Sequence, residues 1–158
     1  MESMNGKYRN LIIMGALSFI SMFILMYMMV DKYANVYLSL NQFYMAGMMT
    51  MPMLIIELVL MGSMYPRKII NIFIIAVSLT FLIAFIIFIR QQTAISDKEF
   101  LKSMIPHHAS AILMCKEAPI KDPEIKKLCK EIITSQQSEI DWMSKKLNSL
   151  GNSKNSNH

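Results

Sequence analysis

The sequence has 158 residues, of which 54% are hydrophobic and 17% are charged, and its formal net charge is +5. A mean hydropathy of +0.37 is too high for one soluble domain, and the chain is too short for two large ones. The basic residues lie beside apolar runs or on a polar helix face without interleaved aromatic residues, which argues against a nucleic-acid partner. Composition therefore favours a membrane anchor followed by a small module.

Three apolar runs are long enough to cross the ~30 Å of hydrocarbon in a bilayer. They cover residues 11–30, 44–64 and 69–89. The first run is too long for the apolar region of a signal peptide and lacks a cleavage site of small residues, so we interpret it as an uncleaved span. We predict a three-span anchor at residues 1–95, a helical domain at residues 96–150 and a disordered, Asn/Ser-rich tail at residues 151–158.

Basic residues are distributed unequally at the ends of these spans. Lys7 and Arg9 precede the first span, and Arg67 and Lys68 separate the second from the third. Because cytoplasmic loops are enriched in Lys and Arg, the N-terminus is predicted to be cytoplasmic and the C-terminal domain extracytoplasmic. In a bacterium, this would be a multi-pass protein of the inner (cytoplasmic) membrane whose C-terminal domain is periplasmic or extracellular, where thiols can oxidise.

Methionine is unusually frequent, with 17 residues. The third span contains none, whereas methionines cluster at the end of the first span and the start of the second: Met22, Met26, Met28, Met29, Met45, Met48, Met49, Met51 and Met53. Thioethers bind soft ions such as Cu(I) and Ag(I), but methionine also fills irregular apolar spaces. Packing is the simpler interpretation, and a ligand role stays open.

Glu57 is the only acidic residue within a predicted span. An intramembrane carboxyl group is a candidate functional group because its exposure to lipid is costly. It could equally be a protonated carboxyl bonded to a neighbouring helix, near the backbone freed by Pro52.

Two amphipathic helical patterns follow, separated by a break at residues 118–123. If the turn lies near Lys121, antiparallel pairing sets Cys115 opposite Cys129 and His108 opposite Gln136, to within about one turn. We therefore predict a helical hairpin.

A set of residues in this hairpin resembles a known family. It comprises Met104, Ile105, Pro106, His107, His108, Ala111, Ile112, Asp122, Pro123, Glu124, Ile125, Leu128, Ile132, Ile133, Gln136, Glu139, Ile140 and Met143. The pattern is similar to the bacterial domain-of-unknown-function 305 family, and the three spans are similar to its small membrane-anchored members. The resemblance implies a ferritin-like fold and, for some periplasmic members, binding of copper or silver. Because ferritin-like proteins use four helices, we expect a homodimer in which two hairpins form one bundle.

Candidate metal ligands lie along the predicted hairpin. They are Met104, His107, His108, Met114, Cys115, Cys129 and Met143, with Gln136 and Glu139 as groups that could orient an imidazole. Imidazole, thioether and thiolate donors suit a soft ion such as Cu(I) or silver.

Structural roles compete with these ligand roles. The two adjacent histidines are about 100° apart on a helix and cannot both face the partner helix. Pro106 would suit the first turn of a helix, where polar neighbours satisfy backbone groups. The two cysteines depart from the family, which usually has small apolar residues there, so they are either a disulfide, a thiolate pair or buried packing residues.

The sequence thus predicts a membrane-anchored extracytoplasmic protein that binds copper or silver for handling or resistance. The alternative is a non-enzymatic membrane assembly or interaction protein whose histidine pair is structural. We expect no enzymatic activity, because the Glu-x-x-His pairs of di-iron oxidases, the His-Glu-x-x-His motif of zinc proteases and Gly-rich phosphate loops do not occur.

Overall fold

The computed structural model describes residues 4–152, and the secondary structure of this part of the chain consists of helices without strands, as the all-α prediction expected. Its α-helices, in chain order, are α1 (Met4–Leu25), α2 (Leu40–Leu60), α3 (Lys68–Gln91), α4 (Asp97–Glu117) and α5 (Pro123–Asn152). Short 3-10 helices occur at Met26–Met29, Tyr33–Asn35 and Gly62–Met64. The predicted disordered tail lies outside the described residues from residue 153 onwards, while its first two residues continue α5.

The described chain forms two compact units. One contains residues 4–26 and 41–94, and therefore nearly all of α1, α2 and α3. The other contains residues 27–40 and 95–152, so the connection between α1 and α2 belongs with α4 and α5. The hydropathy pattern did not predict this placement of residues 27–40.

Three stretches, which lie almost entirely in the first unit, are long and apolar enough to cross a membrane, and they confirm the three predicted apolar helices. They are Gly6–Met29, Leu40–Leu60 and Lys68–Gln91. Large apolar side chains on them are exposed, such as Ile12 at 67% and Ile69 at 83%, as lipid-facing residues would be. The second stretch begins and ends four residues earlier than predicted, because Asn41 and Gln42 join its first turn and Gly62 lies in the following 3-10 helix.

Close packing within this unit depends on a glycine in α2. An added Cβ at Gly47 would lie within 3.0 Å of three ring carbons of Phe85 on α3. The Phe85 ring also contacts Tyr44, one turn before the glycine, and Phe81 on its own helix. The absent side chain thus lets the two helices approach around an aromatic cluster.

Both helices of the second unit begin at capped ends. The Ser96 hydroxyl accepts a hydrogen bond from the backbone N–H of Glu99 at the start of α4 (3.4 Å). The Asp122 carboxylate accepts from the backbone N–H groups of Glu124 and Ile125 at the start of α5 (2.8 and 3.0 Å). Pro106 lies inside α4, so our expectation that it belongs to a first turn was wrong: the helix already begins at Asp97.

The two helices share one apolar core. Its buried residues are Leu101, Ile105, Ala109 and Ile112 on α4, and Ile140, Met143 and Leu147 on α5. Their spacing of three or four residues places them on one face of each helix. Because His108 contacts Glu139 and Cys115 contacts Cys129, the two helices run antiparallel.

The connection between α1 and α2 packs against this core. Val30 and Tyr37 contribute apolar side chains to it, and the backbone N–H of Leu40 donates to the Glu99 carboxylate (3.0 Å). Burial acts to raise the pKa of Glu99, but hydrogen bonds from Lys102 and Leu40 outweigh it and lower that pKa. Glu99 on α4 is therefore a carboxylate, and it binds the backbone N–H of Leu40 at the end of the connection.

Candidate functional site

His108 is buried on the inner face of α4, and its ring orientation is fixed by the helix backbone. Its Nδ1 lies 3.0 Å from the carbonyl oxygen of Met104, one turn earlier. A carbonyl oxygen can only accept, so Nδ1 carries a proton and donates it. This bond leaves Nε2 facing α5, the arrangement in which histidines commonly bind metal ions.

The Nε2 atom of His108 lies 2.7 Å from a carboxylate oxygen of Glu139 on α5. The other Glu139 oxygen accepts a hydrogen bond from the Ser135 hydroxyl (2.9 Å), one turn earlier on the same helix. The bonds from His108 and then Ser135 lower the pKa of Glu139, so this group is a carboxylate at neutral pH. The two ring nitrogens of His108 therefore face two oxygen acceptors, the Met104 carbonyl at Nδ1 and the Glu139 carboxylate at Nε2.

An open groove of about 520 Å³ surrounds this pair of residues. It is lined by Phe100, Met104, His108, Ser138, Glu139, Trp142 and Met143. Two thioethers, one from each helix, therefore share the groove with an imidazole and a carboxylate. The Trp142 side chain is exposed at its edge, whereas Met143 is 6% exposed.

The two cysteines face each other nearer the link between the helices, and both are free thiols. A hydrogen bond with Cys129, together with burial, raises the pKa of Cys115 from its usual 9.0 to about 11. A raised thiol pKa favours folding at a pH below 9.0, and this contribution is lost as the pH rises through about 11. Cys115 is therefore a thiol at neutral pH and a weak nucleophile.

The remaining candidates of the hairpin lie away from the groove. His107 is exposed, its ring centre 6.1 Å from that of His108, and Met114 is 52% exposed. Gln136 has a buried side-chain oxygen without a hydrogen-bond partner among residues 4–152. The residue that meets His108 is Glu139, three positions further along α5, which lies within the one-turn uncertainty of the predicted pairing.

Glu57 belongs to the unit of apolar helices and has a polar partner there. The buried Tyr65 donates a hydrogen bond from its hydroxyl to the Glu57 carboxyl (3.2 Å). This bond gives the carboxyl a structural role within α2 and the turn that follows it.

The donors around the groove suit a soft monovalent ion. Among residues 4–152, no three His, Cys, Asp or Glu side chains converge as a group that could hold a metal ion. A structural zinc site requires four such ligands, whereas Cu(I) and Ag(I) accept thioethers and imidazole. The groove contains one imidazole and two thioethers, which are donor types that Cu(I) and Ag(I) accept.

Sequence reasoning missed several residues of the groove. Phe100, Ser138 and Trp142 line it, and Ser135 orients the Glu139 carboxylate. The spacing of four residues between Ser135 and Glu139 is a signal that could have identified that pair, since such residues are neighbours on a helix.

Comparisons with known proteins match both parts of the chain. The family model described as Domain of unknown function (DUF305) matches residues 89–158, which include α4 and α5. An uncharacterized protein of Acanthamoeba polyphaga mimivirus is 38% identical over 115 residues, covering 72% of this chain and 74% of the relative. That alignment is longer than the family match and therefore extends into the apolar helices. No solved structure matches the chain.

Proposed function

We propose a metal-handling role for this chain, which belongs to the family described as Domain of unknown function (DUF305), as its sequence pattern predicted. In this proposal, α4 and α5 bind a soft monovalent ion, Cu(I) or Ag(I), outside the cytoplasm, and the apolar helices anchor them to a membrane. Neither the family description nor the name of the viral relative states a function. The proposal therefore rests on the site itself.

The hydrogen bond from His108 Nδ1 to the Met104 carbonyl carries the proposal. It leaves Nε2 as the ring atom that could exchange a proton for an ion, in a groove shared with two thioethers. In the proposed site, Nε2 and the sulfur atoms of Met104 and Met143 bind the ion, and the nearby Glu139 carboxylate balances its charge. The ion is cargo that the protein sequesters or passes on.

The division of the chain into units supports a three-span topology. Three crossings place residues 27–40 and residues 95–152 on one side of a membrane, and these two segments belong to one compact unit. The excess of Lys and Arg near the start of α1 and of α3 favours the opposite side as cytoplasmic. In a bacterium, the proposed site would then face the periplasm or the cell exterior.

A second copy of the chain would complete a four-helix bundle. Two paired helices bury too little apolar surface to be stable alone. Large apolar side chains remain exposed on both of them, including Phe100 at 49% and Trp142 at 62%, beside the groove. We therefore propose that two α4–α5 pairs associate as a ferritin-like homodimer.

A histidine-to-asparagine exchange tests the metal site. The Asn amide can replace the Nδ1 donor to the Met104 carbonyl, but it has no counterpart of Nε2. We expect His108→Asn, in the full chain in detergent under reducing conditions, to weaken Cu(I) and Ag(I) binding about 100-fold or more, because loss of an outer-shell partner alone already costs about 10–100-fold. His107→Asn is the matched control, because that ring is exposed, and it should bind normally. Equal affinities in native, His107→Asn and His108→Asn proteins would contradict the proposal.

One observation favours a second function, in which the chain is a membrane assembly protein. Both ring nitrogens of His108 already have hydrogen-bond partners, so the residue could serve only to tie α4 to α5. In that case the dimer would form without any ion. His108→Asn would change the stability of the chain, but it would leave the affinity for Ag(I) unchanged. Ag(I) titration of the native chain and of His108→Asn therefore separates the two functions, because only the metal-handling role predicts a loss of affinity in the variant.

A further inference from the structure

A groove in the unit of apolar helices combines basic and apolar side chains. It has a volume of about 410 Å³ and is lined by Tyr8, Arg9, Ile12, Ile13, Arg67 and Ile70. The arginines lie where α1 and α3 begin, and alternating spans place both of these helix starts at the same membrane border. The isoleucines continue into the spans themselves.

The turn before α3 is fixed to α1 by Tyr8. The Tyr8 hydroxyl donates to the Asn71 side-chain oxygen (2.8 Å) and accepts from the backbone N–H of Arg67 (3.1 Å). The Asn71 amide in turn donates to the Tyr65 carbonyl (2.9 Å), and the two tyrosine rings are 5.5 Å apart between centres. These contacts position Arg67 beside Arg9 at the groove.

The two arginines of the groove have no acidic partner among residues 4–152. Both are exposed, and neither forms an ion pair with any residue in the described range 4–152. Within the described part of the chain, no acidic residue lines the groove. An arginine guanidinium group binds phosphate with paired hydrogen bonds, so two of them beside an apolar surface complement an anion that carries a hydrocarbon chain.

We propose that this groove binds the headgroup of an anionic phospholipid. The lipid phosphate lies between Arg9 and Arg67, and an acyl chain lies along Ile12, Ile13 and Ile70. Tyr8 is a positioning residue, which acts by holding the Arg67 backbone. The positive-inside rule places the groove in the cytoplasmic leaflet, where anionic lipids are concentrated.

Native mass spectrometry of the full chain in detergent tests this site. Phosphatidylglycerol and phosphatidylcholine with identical acyl chains are added in turn, and the retained lipid is measured. The native chain should retain phosphatidylglycerol preferentially, and Arg9→Gln with Arg67→Gln should reduce its retention about tenfold or more, since two basic contacts are lost. Lys7→Gln with Lys68→Gln removes the same charge at the same border but outside the groove, and should change retention less than about twofold.

Two further variants separate binding from folding. Arg9→Lys with Arg67→Lys keeps the charge and loses the planar fork, so its retention of phosphatidylglycerol should fall between those of the native chain and the Gln pair. Tyr8→Phe removes the hydroxyl that positions Arg67 and should weaken phosphatidylglycerol retention several-fold, while phosphatidylcholine retention stays unchanged. Far-UV circular dichroism checks that each variant keeps its helices.

Three results would overturn the proposal. One is the absence of any preference for phosphatidylglycerol in the native chain. Another is an equal loss in the arginine and lysine pairs, which would indicate general surface attraction. The third is displacement of the lipid by millimolar glycerol phosphate, which would indicate a site for a free phosphate group instead of a lipid.

Discussion

Binding of an ion at His108 must compete with a proton, and this competition gives the proposed site a defined pH dependence. The Nε2 proton that faces Glu139 has to leave before Nε2 can bind an ion. The lowered pKa of Glu139 keeps its carboxylate ionised even at pH values below the usual pKa of Glu. Thioethers do not titrate, and His107 lies outside the groove. One proton is therefore released for each ion bound wherever Nε2 carries a proton.

The magnitude follows from this stoichiometry. Displacement of one proton weakens apparent affinity about tenfold per unit of falling pH, or about 1.4 kcal/mol per unit, wherever the imidazole is protonated. The affinity should therefore fall with pH only where Nε2 carries a proton, and it should not change with pH where Nε2 carries none.

Ag(I) titration in chloride-free buffer against a competing chelator measures the dependence. Calorimetry in two buffers with different ionisation enthalpies counts the released protons directly. His108→Asn should abolish the slope together with the tight site. A native affinity that is constant across about pH 5 to pH 7 would refute the reasoning, and so would a slope near a hundredfold per unit, which would require a second imidazole.

Three other substitutions test the packing. Gly47→Ala places a Cβ against the Phe85 ring and should destabilise the apolar helices by about 1–3 kcal/mol in a thermal or denaturant melt. Ile112→Ala opens a cavity at a side chain with 0% exposure and should cost about 2–5 kcal/mol in the same assay. Cys129→Ala removes the neighbour that raises the pKa of Cys115, so alkylation of Cys115 should reach half its maximal rate at a lower pH.

Each of these substitutions has a control or a contradicting result. Gly62→Ala meets no atom within 4 Å and should be nearly neutral, so equal costs at the two glycines would contradict the close packing. Ile125→Ala truncates a side chain that is 48% exposed and should change stability by less than about 0.5 kcal/mol. An unchanged pH profile of alkylation in Cys129→Ala would exclude the thiol contact as the cause of the raised pKa.

Hydropathy and local pattern were sufficient to predict the helices. Apolar length alone identifies the three candidate spans, because crossing a bilayer sets a minimum number of apolar residues. The break at residues 118–122 follows from Pro119 and from Asp122, whose carboxylate caps α5. By contrast, the packing of residues 27–40 against α4 and α5 depends on long-range contacts such as that between Leu40 and Glu99, which no local pattern encodes.

The sequence contains a signal that distinguishes the two histidines, but our prediction did not use it. His108 continues the spacing of Leu101, Ile105 and Ile112, the stripe that becomes the core, whereas His107 does not. The residue on α5 that contacts His108 could not be predicted as closely from the sequence. Glu139 replaces the expected Gln136 because the pairing depends on the rotation of α5 about its axis, and an error of one turn changes the residue that faces the imidazole.

The position of His108 in an apolar stripe bears on whether it is structural or functional. A buried imidazole costs desolvation, and its ion-pair partner Glu139 has a side chain that is 53% exposed, so screening by water weakens their attraction. Leucine would extend the stripe without a polar group. His108→Leu should therefore leave the melting temperature of the full chain equal or higher, while Ag(I) binding is lost. A marked loss of stability in His108→Leu would instead assign the histidine to the fold and favour the assembly function.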